Sequence, residues 1–156
     1  KATCTRICPQ KYMDVTIPQN FGWRYDVDSR IEFHQALDIT AAIGTPVYNV
    51  FKDDTYVSIS QWMDYAGNVV QLKNNDIYVT YMHLNECTVA SESTIAGGAK
   101  IGTAGKTETV SPHLHISFSK TSKVAVSKSK DPNDSNVVNW DASQIDAFID
   151  PLNYIS

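Results

Sequence analysis

The sequence predicts a mainly β fold, built as a single antiparallel, sheet-rich domain with one short helix near its C-terminus. Short runs of β-branched and aromatic residues recur along the chain, as is typical of strands. They lie at 47–50, 56–59, 69–72, 77–82 and 114–118. Clusters of Gly, Pro, Asn and Asp separate these runs, at 44–46, 52–54, 66–68, 74–76 and 97–98. Such residues favour tight reversals, so strand and turn signals alternate and indicate the β class.

The helix is predicted close to the end of the chain. Residues 141–144 read Asp-Ala-Ser-Gln, which resembles a capping box, and apolar residues follow between 145 and 149. Pro151 cannot continue a helix, so the predicted helix ends before it.

Residues 1–20 show no clear periodicity and are predicted to form an extended lead-in. Residues 21–156 are predicted to form the domain itself. Between 119 and 137 the chain is rich in Ser, Lys, Asp and Asn, which indicates a long surface loop. This part of the domain, about 119–140, is interpreted as a surface insertion.

Composition excludes some classes of protein. The 156 residues are 42% hydrophobic and 19% charged, with a net charge of −4. A disordered chain has less apolar content, and a nucleic-acid partner requires a basic surface, so neither is expected. No apolar run reaches the roughly 18 residues of a membrane-spanning helix. The chain opens on Lys1 without an apolar signal segment, which is typical of a mature or trimmed chain.

The four histidines carry the functional signal. His113 and His115 are two apart in a predicted strand, so both point to one face, about 6.6 Å apart along it. The intervening residues of this strand, at 114, 116 and 118, are apolar. The two imidazoles are therefore expected to leave the core face together, towards a solvent-facing groove. His83 is expected at the end of another strand, where its side chain can overhang that groove.

A zinc site is one interpretation of this pattern. Catalytic zinc takes three protein ligands, from His nitrogen and carboxylate oxygen among others. His34, Asp38 and one of the His113/His115 pair supply that number. Positions four apart in a regular strand lie about 13 Å apart, so His34 and Asp38 require a helical turn or a bent segment. From the spacing alone, scattered structural histidines remain the alternative.

Taken together, the segments resemble the lysostaphin-type (LytM-family) zinc endopeptidases, which cut peptidoglycan peptides. The resemblance runs over residues 21–155 and depends on eight blocks in the family's order and approximate spacing. These blocks are Phe21-Gly22-Trp23-Arg24, His34-x-x-x-Asp38-Ile39, Gly44-Thr45-Pro46-Val47, Gly67-Asn68-x-Val70, Tyr81-Met82-His83-Leu84, Ile101-Gly102-Thr103-Ala104-Gly105, Pro112-His113-Leu114-His115 and Asp150-Pro151.

The resemblance implies a role for each histidine. His34, Asp38 and His115 are expected to bind one Zn²⁺ ion, and His113 and His83 to be catalytic partners that do not bind the metal. Zinc lowers the pKa of water and polarises a carbonyl, while imidazoles pass the proton to the leaving amine.

Family members also carry a tyrosine upstream of the first ligand that steadies the oxyanion. Tyr25 is the nearest match, and a buried packing tyrosine is the alternative. The chain departs from the family at Ala36, at Ser111 and at 52–54. None of these changes removes a ligand, but the loops concerned form walls of the groove.

The resemblance implies a secreted zinc metalloendopeptidase that hydrolyses peptide bonds in the stem or cross-bridge of bacterial peptidoglycan. A groove open at both ends suits such a substrate. We expect a monomer of bacterial or phage origin, acting outside the cell or in the cell wall. A non-catalytic LytM-like scaffold or activator in cell division or sporulation is the alternative. A zinc D,D-carboxypeptidase is disfavoured, because its His-to-Asp spacing is wider.

The cysteines leave several pairings open. Cys4, Cys8 and Cys87 are an odd number, so at most one intrachain disulfide forms. It links either Cys4 with Cys8, or the lead-in with Cys87.

Overall fold

The computed structural model describes residues 21–25, 31–125, 128–130, 132–133 and 138–151, with the main chain only at residues 24, 25, 31, 128–130, 138 and 139. Strands dominate this part of the chain, as the sequence predicts. In chain order the elements are β1 (Gly22–Tyr25), β2 (Ile31–His34), β3 (Ala36–Thr40), β4 (Pro46–Tyr48), β5 (Thr55–Met63), β6 (Gly67–Asn74), β7 (Ile77–Leu84), β8 (Glu86–Cys87), β9 (Ser93–Ile95), β10 (Lys100–Thr103), β11 (His113–Ser119), β12 (Lys128–Lys130), β13 (Val138–Trp140), α1 (Ala142–Ile145) and β14 (Phe148–Ile149).

The largest sheet runs in the order β14-β11-β7-β6-β5-β9, and β3 also pairs with β11. All of these pairings are antiparallel. β11 pairs with β7 on one side and with β3 and β14 on the other, so it lies inside the sheet. Among the described residues, the predicted mainly β, antiparallel class with one short helix is confirmed.

The main core lies on one face of β11. Leu114, Ile116 and Phe118 are fully buried there, together with Leu37 of β3 and Tyr81 of β7. Each such side chain contributes roughly 1.5–3 kcal/mol through burial. The alternation along β11 is therefore the one the sequence predicts for its apolar face.

The opposite face of β11 differs from the prediction. His115 is 7% exposed, although it is expected to face a solvent-accessible groove, and Ser117 on the same face is 1% exposed. The side chains of Asp38, His34 and His83 lie against the His115 ring and cover it. His113, at the start of the strand, stays partly accessible.

A second sheet, β4-β10-β8, packs near the core. The Tyr81 hydroxyl donates a hydrogen bond to the Tyr48 carbonyl (3.3 Å) and accepts one from the Val50 amide (3.2 Å). A fully buried tyrosine hydroxyl requires such partners. Tyr81 thus connects β7 to the end of β4 and to the segment that follows it.

The helix is shorter than predicted. Asp141 caps it, because its carboxylate accepts hydrogen bonds from the amides of Ser143 (3.0 Å) and Gln144 (3.4 Å). The Ser143 hydroxyl and these amides hold the pKa of Asp141 below its ordinary value. After Ile145 the chain turns into β14, whose Phe148 and Ile149 pair with the end of β11. This pairing gives the main chain at the edge of β11 hydrogen-bond partners, and Phe148 is buried against Phe33. The long-range contact therefore overrides the local helical pattern.

The predicted loop after β11 is partly a hairpin. β12 pairs antiparallel with β13, in the register Ser129 with Asn139. The division into a lead-in, a domain and an insertion stays a prediction. Residues 1–20, with Cys4 and Cys8, lie outside the described residues, so the disulfide pairing also stays a prediction.

Cys87 is half-buried in β8, and burial raises the pKa of its thiol despite a hydrogen bond with Ser60.

Among the described residues, no helix has the length and apolar character that a membrane crossing requires.

Candidate metal centre

His34 and Asp38 come together through a bend. β2 ends at His34 and pairs with β1, whereas β3 begins at Ala36 and pairs with β11. The chain therefore changes sheets at Gln35. This places His34 Nε2 3.0 Å from Asp38 Oδ2, so the bent segment is confirmed and the helical turn is wrong.

Asp38 and His115 come together through strand pairing. They are directly opposite residues of β3 and β11, and such cross-strand pairs bring side chains on one face into contact. Asp38 Oδ1 lies 2.9 Å from His115 Nδ1. His115 Nε2 is buried and has no hydrogen-bond partner among the described residues, so the polar contact of the ring is made through Nδ1.

These three side chains fit a zinc ion. One ligand atom from each of His34, Asp38 and His115 lies within 4.8 Å of the others. Two ligands of one tetrahedral zinc ion lie about 3.3–3.6 Å apart. The separations of 3.0 and 2.9 Å from Asp38 therefore require only a slight widening. Two imidazoles and one carboxylate are also the donor set of a catalytic zinc site.

The protonation states favour metal binding. Burial raises the pKa of Asp38, but hydrogen bonds and charge attraction from His115 and His34 outweigh it and hold that pKa well below its ordinary value. The carboxylate is therefore ionised. Burial lowers the pKa of His115, against the attraction of Asp38. Its neutral form, which binds metals, is favoured.

His83 adds a third imidazole beside these ligands. Its ring centroid lies 5.5 Å from that of His115 and 5.0 Å from that of His113. Burial and the nearby charges of these two histidines lower the pKa of His83 to about 4, although a hydrogen bond to Thr107 and the charge of Asp38 oppose this. His83 is neutral at pH 7.

Both remaining histidines use Nδ1 for a backbone contact. His83 Nδ1 lies 2.8 Å from the Thr107 carbonyl, and His113 Nδ1 lies 2.8 Å from the Ser111 carbonyl. A carbonyl only accepts, so Nδ1 of each ring carries the proton. When the ring is neutral, its Nε2 atom then carries a lone pair and can accept a proton or a hydrogen bond. His113 Nε2 lies 3.5 Å from Asp38 Oδ1.

The structure thus brings five of the six predicted site residues together. His83, His113 and His115 form a second group whose ligand atoms lie within 4.8 Å. It lacks a carboxylate, whereas the group with Asp38 has the two imidazoles and one carboxylate of a catalytic zinc site, so the group with Asp38 is the better metal site. The side chain of Tyr25 lies outside the described residues. Its role stays a prediction.

The sequence did not indicate two contributors, Thr107 and Ser111. Both act through main-chain carbonyls, which every residue type carries, so no side-chain pattern identifies them.

The match to a known protein family covers the same residues. The model of peptidase family M23 matches residues 32–130. This chain belongs to peptidase family M23. The matched range contains all five clustered residues of the site but not Tyr25.

Curated relatives of this M23 chain are considerably longer proteins. Peptidoglycan DD-endopeptidase ShyC of Vibrio cholerae is 33% identical over 106 residues, which are 65% of this chain and 24% of that protein. The uncharacterized lipoprotein YgeR of Escherichia coli is 31% identical over 84 residues, which are 53% of this chain and 33% of that protein. The chain therefore spans about a quarter to a third of these relatives.

Solved structures share the M23 fold. The catalytic domain of the antimicrobial peptidase lysostaphin from Staphylococcus simulans has a TM-score of 0.67 and 20% identity, covering 96% of this chain and 98% of that one. A zinc-containing peptidase from Vibrio cholerae has a TM-score of 0.64 and 27% identity, covering 76% of this chain and 36% of that one. The predicted LytM-like fold is confirmed.

Proposed function

We propose that this chain is a zinc-dependent metalloendopeptidase that hydrolyses a peptide bond in the stem or cross-bridge of bacterial peptidoglycan. The observation that carries the proposal is the meeting of His34, Asp38 and His115 with two further histidines whose Nδ1 atoms are hydrogen-bonded to main-chain carbonyls. Membership of family M23 and the named activity of ShyC support the choice of reaction and substrate.

His34, Asp38 and His115 hold the metal. When bound, zinc supplies a Lewis acid that polarises the scissile carbonyl and lowers the pKa of water towards 7. Asp38 contributes the negative charge, and it contacts both imidazoles in the protein itself. The site is therefore preorganised, because its donor atoms converge through the sheet pairing and the bend at Gln35.

His113 transfers the proton, and His83 orients the water. Nε2 of His113 takes a proton from the attacking water and passes it to the leaving amine, since it is an acceptor held near the metal ligands. The imidazolium that forms is stabilised by Asp38, 3.5 Å away. His83, with its pKa lowered to about 4, stays neutral, and its Nε2 accepts a hydrogen bond that orients the water.

The place of action follows from the substrate. A chain that cuts peptidoglycan acts outside the cytoplasm, so we propose an extracellular or cell-wall location, with the chain working as a monomer. Tyr25 is retained as the proposed oxyanion contact.

A digestion experiment tests this proposal. Purified peptidoglycans with different cross-bridges are incubated with the zinc-loaded chain, and new amines and product masses are measured. We expect cleavage by the unmodified chain and none by Asp38→Asn, which also loses zinc. The matched control is Asp76→Asn, an exposed carboxylate next to the start of β7, at the opposite end of that strand from His83. Full zinc occupancy without cleavage of any wall type would instead support the non-catalytic scaffold.

A further inference from the structure

His83 occupies an irregular position in the sheet. The pairing of β6 with β7 shifts between Asn68, opposite Leu84, and Val70, opposite Tyr81. Two residues of β7 thus stand opposite one residue of β6, which defines a bulge. His83 lies in this bulge with φ of 60°, a left-handed conformation that costs about 1–2 kcal/mol for a residue with a side chain. Its neighbours must therefore hold it in place.

The Thr107 hydroxyl fastens this bulge from outside the two strands. Its Oγ1 donates to the Leu84 carbonyl (2.9 Å) and accepts from the Asn68 amide (3.2 Å). One hydroxyl therefore bridges the last pair of the β6–β7 ladder before the shift. Both bonds are partly buried, which raises the cost of leaving either group unpaired.

Gly67 makes this close approach possible. A Cβ atom at position 67 would collide with Oγ1 and Cβ of Thr107. Gly67 also has φ of 75°, a conformation that glycine adopts without strain. The first residue of β6 is thus shaped to receive the Thr107 side chain.

Thr107 also contacts the His83 ring, through its main chain. Its carbonyl accepts the hydrogen bond from His83 Nδ1 at 2.8 Å. The loop that carries Thr107 is closed at its base by the His113 amide, which donates to the Gly105 carbonyl at 3.2 Å. A contact of Thr107 with β6 and β7 therefore also fixes this loop, and with it the 5.0 Å spacing of the His83 and His113 rings.

We propose that Thr107 is a positioning residue for His83. Its hydroxyl anchors the loop on the bulge, and its carbonyl holds the His83 ring in the form protonated at Nδ1, which leaves Nε2 as the lone pair. The effect on turnover rests on the proposed function, whereas the effect on the His83 ring does not.

Three variants separate the hydroxyl from the size of the side chain. Thr107→Val keeps the shape and removes both hydroxyl bonds, while Thr107→Ser keeps the hydroxyl. Thr109→Val is the matched control, since it makes the same change two residues away, where no hydrogen bond of the hydroxyl to a described residue occurs. We expect Thr107→Val to lower kcat roughly 10- to 100-fold at unchanged KM and zinc content, because small displacements of reacting groups have effects of this size. Thr107→Ser and Thr109→Val should keep most of the kcat.

The tautomer of His83 gives a readout independent of activity. Long-range proton–nitrogen NMR spectra of the zinc-loaded chain distinguish a ring protonated at Nδ1 from one protonated at Nε2. The His83 signals are those absent from His83→Gln. We expect the Nδ1–H form in the unmodified chain and in Thr107→Ser, and a mixture of both forms in Thr107→Val.

The outcomes keep the two proposals apart. If the unmodified chain shows His83 protonated at Nε2, the Thr107 inference is overturned, even if every variant fails to fold. The same holds if Thr107→Val retains both the pure Nδ1–H form and full kcat. If the unmodified chain cleaves no peptidoglycan but its His83 tautomer changes in Thr107→Val as expected, the proposed function fails and the positioning role stands.

Discussion

Asp38 and His115 are opposite partners in adjacent antiparallel strands, and their side chains meet with 2.9 Å between Oδ1 and Nδ1. Two of the three proposed metal ligands are thus a cross-strand pair in a sheet. The third, His34, is brought to Asp38 by the bend of the chain at Gln35. Metal binding is therefore expected to depend on both the pairing of β3 with β11 and the bend at Gln35.

Removing a ligand should differ from removing a proton acceptor. We expect His34→Ala to weaken zinc binding by roughly 10²–10³-fold, since the binding free energy of a four-ligand zinc site, about 10–16 kcal/mol, is shared among its ligands. His113→Ala should keep zinc and lose roughly 10²–10⁴-fold in kcat, the usual contribution of a general acid or base. Competition with a chelator measures the first, and amine release measures the second. Full activity of His113→Ala would show that the role assigned to it is wrong.

The acid sensitivity of the metal-free chain should depend on His83. Its folded-state pKa is about 4, below the ordinary 6.5, so between these values the unfolded chain binds more protons. Stability is then fully present above pH 6.5 and falls as the pH drops towards 4. His115 acts in the same direction, whereas the low pKa of Asp38 affects only more acidic solutions.

Denaturant unfolding at several pH values measures this dependence. We expect a shallower loss of stability between pH 6.5 and 4 in His83→Gln than in the unmodified chain. Parallel curves for the two proteins would contradict the lowered pKa.

Gly67 should tolerate a methyl group poorly. Gly67→Ala places Cβ against Thr107 and imposes strain at φ of 75°. Gly44→Ala is the matched control, because its φ is 91° and nothing lies within 4 Å of the added Cβ. We expect Gly67→Ala to lose about 1–3 kcal/mol more free energy of unfolding than Gly44→Ala, the usual cost of overpacking. Equal losses would mean that the Thr107 loop moves away freely.

Gln71 should hold the segment that follows β11. This fully buried side chain donates to the Thr80 hydroxyl (3.1 Å) and to the Ser122 carbonyl (3.0 Å), and it accepts from the Ser58 hydroxyl (2.9 Å). Gln71→Met removes these three hydrogen bonds and takes this partner from the buried Thr80 hydroxyl, so we expect a loss of roughly 1–3 kcal/mol. We also expect faster proteolysis near Ser122. Unchanged unfolding and proteolysis would show that this segment is held elsewhere.

Local patterns were sufficient for the strands that form the centre of the sheet. The alternation around Leu114 and Ile116 reports directly which face is buried, and the fold class follows from several such runs. The bend at Gln35 has no glycine or proline to mark it. It exists because β2 and β3 pair with different partners, which only the folded chain determines.

The parts of the site that the sequence did not reveal share a physical cause. The Thr107 carbonyl has no side-chain signature, and the conformation of His83 depends on the bulge opposite Val69. Phe148 and Ile149 follow a helix start, yet they form a strand because the edge of β11 is available to them. Each depends on a partner distant in sequence.

The register between β3 and β11 gives the metal site a further property. Since side chains alternate along a strand, a slip of one residue would turn Asp38 into the core and bring Ile39 towards His115. Such a misfolded sheet would bury a charge and lose a ligand at the same time. Retention of zinc therefore serves as a check on folding quality, because only correctly paired molecules can keep the ion.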